Sequence, residues 1–311
     1  MSAPGRLETW GRLLRVPNLF TVPGDVVAGF LLATGGRLHW EVLLGVAAVL
    51  CLYAGGLLLN DYFDREVDAR ERPERPIPSG SVRARTVLAV GLALLAGGVA
   101  IASVAPGTKP CFIAAVVALA AFSYDAGLKR LRIAGPVVMG LCRAGSVALG
   151  GELAESMRAN GYVVADYGTL PPGAAAGVAW VYTATLTMLA ADEATGKPLG
   201  KKAFLPCGIL AVGGCGMAMF LTPNWVMKLL AFVVLGVAIA ASFRAARLAC
   251  RRELPVPPFI GSLVRVMIPT QAAWSVWAIP LDRAPTAFNM IAGFGILWAC
   301  AALSAERFYG S

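Results

Sequence analysis

Apolar runs long enough to cross a bilayer recur from one end of this chain to the other and leave little sequence for anything else. They fall at roughly 16–34, 41–60, 86–105, 110–124, 133–150, 173–191, 203–221, 225–243, 259–280 and 285–304. Most approach the ~20 residues that an α-helix needs to span the hydrocarbon core. The longest intervening loops, 61–85 and 151–172, have no room for a soluble domain. Only 14% of the residues are charged, against about 25% in soluble domains. The expectation is therefore an all-α polytopic membrane protein, one helical domain over residues 1–311.

Cations set its orientation. If all ten runs span, Arg6, Arg12 and Arg15, the six arginines between 65 and 85, Lys129, Arg130 and Arg132, Lys197, Lys201 and Lys202, and Arg244 to Arg252 share one side. The opposite loops hold Arg37, Lys109, Arg158, Lys228 and Arg283. Basic loops stay in the cytoplasm, so the amino terminus and the loop after the second run are placed there, in a membrane of the bacterial inner (cytoplasmic) type. The net charge of +9 then reflects this bias and attraction to anionic substrate or membrane lipid, not nucleic acid. Seven cysteines without a CxxC pair read as small core residues. The first run lacks a small-residue cleavage site and reads as a retained span.

The chemistry concentrates where the second run ends, at Asn60-Asp61-Tyr62-Phe63-Asp64-Arg65-Glu66-Val67-Asp68. On a continuing helix Asp61, Asp64 and Asp68 share one face, spaced i, i+3, i+7 over a rise of about 10 Å. Such a stack repels itself unless a cation intervenes, and hard oxygen donors select Mg²⁺, which takes one or two carboxylates together with substrate phosphates. A solvated acidic face is the bland alternative, disfavoured at the mouth of a span. Pro73, Pro76 and Pro78 end the helix, and Gly80 closes a turn. Ser123 to Arg132 brings Tyr124, Asp125, Lys129 and Arg130 to the same side. Asn18, Asp25 and Arg143 lie inside runs. Arg143 reads either as a ligand for phosphate or carboxylate or as the partner of an internal ion pair with Asp25.

Asn60, Asp61, Asp64 and Asp68 match NDxxDxxxD, and with Arg75-Pro76-Ile77-Pro78-Ser79-Gly80 and Tyr124 followed by Lys129-Arg130 the chain resembles the UbiA superfamily of intramembrane prenyltransferases over its length to about residue 255. The resemblance implies a bundle of nine or ten transmembrane helices, nine being usual in the family, around a central cavity open to the cytoplasmic side. It implies Mg²⁺-dependent transfer of a prenyl group from a polyprenyl diphosphate to an aromatic or other lipophilic acceptor. Asp61, Asp64 and Lys129 would be catalytic, with Asp61, Asp64, Asp68, Asp192 and Glu193 holding metal. Asn60, Arg75, Tyr124, Lys129 and Arg130 would surround the substrate, joined by Asn18 and Arg143 from within the spans. One departure stands out: the second acidic motif begins at Asp192, but Gly196 occupies the position of its next aspartate, leaving Glu193 as the neighbouring acid. Phe20, Tyr53 and Tyr124 offer aromatic faces for an allylic cation.

Two other classes compete. Lipid-headgroup transfer of the CDP-alcohol type would need a DxxDGxxAR pattern that is absent. A cation-coupled transporter would use acids and an arginine in a bundle, but near the midplane and not gathered at one interface.

Overall fold

The computed structural model describes residues 5–161, 172–193, 199–219 and 224–309. Helices account for each apolar run: α1 (Arg6–Leu13), α2 (Val16–Leu19), α3 (Pro23–Thr34), α4 (Val42–Glu71), α5 (Ala84–Ala102), α6 (Lys109–Ala126), α7 (Ala134–Ala159), α8 (Pro172–Glu193), α9 (Leu205–Met219), α10 (Trp225–Cys250), α11 (Val256–Ala278) and α12 (Ala284–Tyr309). Among the described residues, eight helical segments are long and apolar enough to cross a membrane. The chain is an integral, multi-pass membrane protein. Two of the ten runs stand apart from those eight, the 15-residue α9 and α11.

The ninth run carries Arg265, Pro269 and Gln271, yet from Val266 to Ala278 every residue of α11 is buried. The polar groups there face protein: Gln271 is fully buried. α12, for which the sequence suggests no role, packs along α11 and α2 and places Phe294 and Ala301 against Ile268 and Ala272.

The first run is also less regular than its composition suggests. It is broken at residues 20–22 into α2 and α3, because Pro23 has no N–H to continue the ladder. α3 is buried along nearly its whole length and lies against α7 at backbone distance. A Cβ at Gly29 would stand 2.0 Å from the Val147 carbonyl oxygen, and one at Gly150 would stand 2.1 Å from that of Val26. Small residues permit this closeness where lipid supplies no hydrophobic drive to hold helices together.

α3 and α7 thus form a spine between two apolar cores. One is built with α4, α5 and α6, the other with α8 to α11. A cavity of about 390 Å³ lies between them, walled by α4, α6, α7, α8 and α11. A larger hollow of about 680 Å³ between α8 and α9 is apolar except for Lys201 and holds none of the acids at the end of α4.

Candidate active site

The helix α4 runs without interruption through the acid motif to Glu71, so the expected face forms. Asp61 and Asp68 are buried, and Asp64 is partly exposed. Each carboxylate meets a base. Asp61 Oδ1 lies 3.1 Å from Arg15 Nη2 and 3.5 Å from Arg75 Nη1. Asp68 Oδ2 lies 2.9 Å from the same Arg75 nitrogen, and Asp64 Oδ1 lies 2.7 Å from Lys129 Nζ. α4 ends at Glu71, and a turn closed by the Arg75 N–H donating to the Arg72 carbonyl at 3.1 Å keeps Arg75 beside the helix that the chain has just left.

The structure gives two residues roles that the sequence does not assign. Arg15 appears in the sequence as one of several topological cations, yet its guanidinium donates to Asn60 Oδ1 at 3.1 Å as well as to Asp61. Asp125 is buried at the end of α6 and accepts from Asn60 Nδ2 at 2.9 Å, with Lys129 Nζ 3.8 Å away. The Asn60 amide is therefore oriented from both sides, by a donor to its oxygen and an acceptor for its nitrogen.

The cavity meets this cluster at Arg15, Asn60 and Asp125. Arg15, Asn60, Tyr124 and Asp125 form its polar end. Along α4 its wall continues through Leu57, Gly56, Tyr53 and Leu52 to Val49, a depth of about 16 Å at 1.5 Å per residue. Val117, Leu186, Ile260, Val264 and Met267 make the remainder largely apolar, with Arg143, Ser146, Thr183 and Thr187 as its polar members. A ligand with an anionic head and a hydrocarbon tail matches this division.

The other expected residues fall in several places. Tyr124 and Tyr53 line the cavity, whereas Phe20 packs against the Ile268 and Phe294 cluster. Asn18 lies on α2 and is not among the residues that line the cavity. Arg130 follows Lys129 in a short 3₁₀ turn but is exposed and does not line the cavity. Arg143 reaches the cavity wall, and its Nε lies 2.7 Å from Asp25 Oδ2. Its other nitrogens go to the Thr21 hydroxyl and carbonyl. Of its two sequence readings, the geometry places the internal ion pair. Asp192 and Glu193 end α8, but their side chains, with Gly196, lie outside the described residues.

Whether this donor set suits Mg²⁺ is a question of chemistry and spacing. Among the described residues no three His, Cys, Asp or Glu side chains converge as a ready cage. The donors are carboxylate and amide oxygens strung along one helix face beside three bases. Such a set fits a small hard cation that takes one or two carboxylates and completes its shell with water and phosphate. It does not fit a structural zinc site.

Comparison with known proteins gives the same frame. Residues 25–207 match the UbiA prenyltransferase family. A digeranylgeranylglyceryl phosphate synthase of Ignicoccus hospitalis is 33% identical over 166 residues, 51% of this chain and 54% of that protein. The enzyme of the same name from Methanopyrus kandleri is 42% identical over 136 residues, 43% of this chain and 48% of that one. The chain thus spans about half the length of the relatives it matches. Its fold is that of solved UbiA homologues. One from Aeropyrum pernix K1 aligns with a TM-score of 0.64 at 17% identity, covering 82% of this chain and 96% of that one. Another, from Archaeoglobus fulgidus and bound to GPP and Mg²⁺, aligns at 0.57 and 16% identity, covering 86% and 99%.

Proposed function

This chain belongs to the UbiA prenyltransferase family, and from that membership and the geometry of its cavity we propose that it transfers a prenyl group from a polyprenyl diphosphate to a lipophilic acceptor within the membrane. The observation that carries the reading is the cluster of Asn60, Asp61, Asp64 and Asp68 with Arg15, Arg75 and Lys129, which reaches through Asn60 and Arg15 the wall of a mostly apolar cavity. Mg²⁺, when bound with the donor, would neutralise charge on the departing diphosphate.

The chain's own residues supply the rest. As the allylic C–O bond breaks, negative charge grows on the diphosphate oxygens. Arg15, Arg75 and Lys129 already stand at that end, in a site where preorganised charge acts strongly. The acids that hold these bases in the free protein, Asp61, Asp64 and Asp68, would turn to the metal, and Asn60 would orient a phosphate oxygen or a metal ligand. Tyr53 and Tyr124 present rings to the cavity and would face the allylic cation. The apolar wall from Leu57 to Val49 would hold the tail and exclude water. Arg130 would serve the diphosphate only from outside the cavity wall, and Asp192 with Glu193 would add to the metal site from the end of α8.

The distribution of basic residues supports placing this end of the bundle on the cytoplasmic side. The relatives named for digeranylgeranylglyceryl phosphate make a glyceryl phosphate lipid the first acceptor class to test. The charges deeper in the bundle do not favour an ion pathway, since Asp25 and Arg143 neutralise each other.

The test is diphosphate release from a panel of polyprenyl diphosphates by protein in nanodiscs with Mg²⁺ and a lipid extract. Wild type should release diphosphate, and Asp61→Ala/Asp64→Ala should lose at least about a hundredfold of the rate. No release from any donor by folded protein would overturn the proposal.

A further inference from the structure

The break in the first span has a definite hydrogen-bond pattern. In a continuous helix the Thr21 carbonyl would accept from the N–H of Asp25, but that N–H goes to Val22 at 3.2 Å. The Leu19 carbonyl faces Pro23 in the ladder and takes the Val22 N–H instead. A carbonyl released at membrane depth must find other donors. Thr21 finds two on different helices: Arg143 Nη2 from α7, and Gln271 Nε2 from α11 at 2.8 Å. Both donors are anchored in turn by the wholly buried Asp25, 2.7 Å from Arg143 Nε and 2.6 Å from Gln271 Nε2.

We propose that Arg143 and Gln271 are positioning residues for the diphosphate site, acting through the broken segment to hold Arg15 against Asn60 and Asp61; this rests on the prenyl diphosphate reading above. The link is short and hydrogen-bonded throughout. Thr21 N–H and hydroxyl both donate to the Asn18 carbonyl, at 3.0 and 2.7 Å. Asn18 N–H donates to the Arg15 carbonyl at 2.8 Å. Arg15 itself has a φ of 43°, a left-handed conformation that persists in a side-chain-bearing residue only where its surroundings over-determine it. Fixing Thr21 fixes the far end of this ladder.

Stability alone does not explain the arrangement. Well-packed apolar residues commonly replace a buried ion pair with no loss, but they have no N–H to offer the Thr21 carbonyl. Two donors from separate helices locate that carbonyl, and through it α2, relative to both halves of the bundle.

The test is a double-mutant cycle on binding of geranyl thiodiphosphate, a poorly ionising analogue, with excess MgCl₂ in nanodiscs, read by calorimetry. Arg15→Ala, Arg143→Met and Gln271→Leu should each weaken binding about tenfold, the scale of one charge-assisted hydrogen bond. On top of Arg15→Ala, the other two should cost less than about twofold, because the arginine they position is gone. Asp25→Asn/Arg143→Met removes both charges together and keeps the question answerable if Arg143→Met alone does not fold. It should behave like Arg143→Met. Losses that multiply fully in the Arg15→Ala background, or unchanged affinity in folded variants, would overturn the inference while leaving the diphosphate reading intact. No binding by wild type would overturn both.

Discussion

Gly150→Ala tests the spine on which the site depends. The added methyl would stand 2.1 Å from the Val26 carbonyl oxygen and 2.8 Å from its carbon. Carbon–oxygen contacts ordinarily begin near ~3.3 Å, so α3 and α7 must separate by about 1 Å. Both obstructing atoms are backbone, and no rotamer relieves them. Overpacking of this kind costs about 1–3 kcal/mol. Separation also lengthens the Arg143–Asp25 pair, which spans the same two helices at 2.7 Å, and full loss of a buried pair adds roughly 3–5 kcal/mol. Partial loss brings the expected total to about 3–5 kcal/mol, a fall in melting temperature of roughly 5–8 °C for a chain of this size. The assay is thermal unfolding in one fixed detergent, followed by tryptophan fluorescence, beside Gly177→Ala. Gly177 is also helical, but a Cβ there meets nothing within 4 Å, and helix propensity makes its substitution neutral or stabilising by up to ~1 kcal/mol. If Gly150→Ala melts within about 2 °C of Gly177→Ala, the close α3–α7 approach does not constrain the fold and the reasoning fails.

Two further outcomes follow from the cavity and its mouth. Gly56 lines the cavity, and a Cβ there would sit an unstrained 3.6 Å from Ala121 Cβ, so Gly56→Leu should fold normally yet weaken thiodiphosphate binding at least about tenfold by occupying the place of the tail; unchanged affinity would put the tail elsewhere. Removing divalent metal with EDTA should abolish diphosphate release but shift melting by less than about 2 °C, because Arg15, Arg75 and Lys129 neutralise the acids without metal; a large destabilisation would mean a resident structural ion.

The parts of the site that were readable from sequence are those carried by one uninterrupted element. Asp61, Asp64 and Asp68 lie on a single helix, so their spacing alone places them on one face. Arg15 was not readable, because its contact with Asn60 joins positions 45 apart, and nothing in Leu14-Arg15-Val16 distinguishes it from a topological cation. The break at residues 20–22 had a signal, Pro23 within an apolar run, but hydropathy averages across it. The burial of α11 was unreadable for a related reason: a glutamine within an apolar run is accounted for only when Thr21 and Asp25 are known to meet Gln271. Asp125 was visible within its cluster, but its hydrogen bond to Asn60 depends on how α4 and α6 pack.

The network around Asp25 also has a history in time. Arg143 follows Thr21 by 122 positions, and Gln271 follows Asp25 by 246. At about 5–20 residues per second, a ribosome delivers the arginine roughly 6–24 s after the segment it grips, and the glutamine roughly 12–50 s after its carboxylate. During that interval the first span is an incomplete object: a helix with a proline break, an open carbonyl and an acid, each costly in lipid without a partner. The contacts that close around it are therefore completed only after α7 and then α11 have been made, so the order of synthesis makes the first span the last to gain its full set of partners.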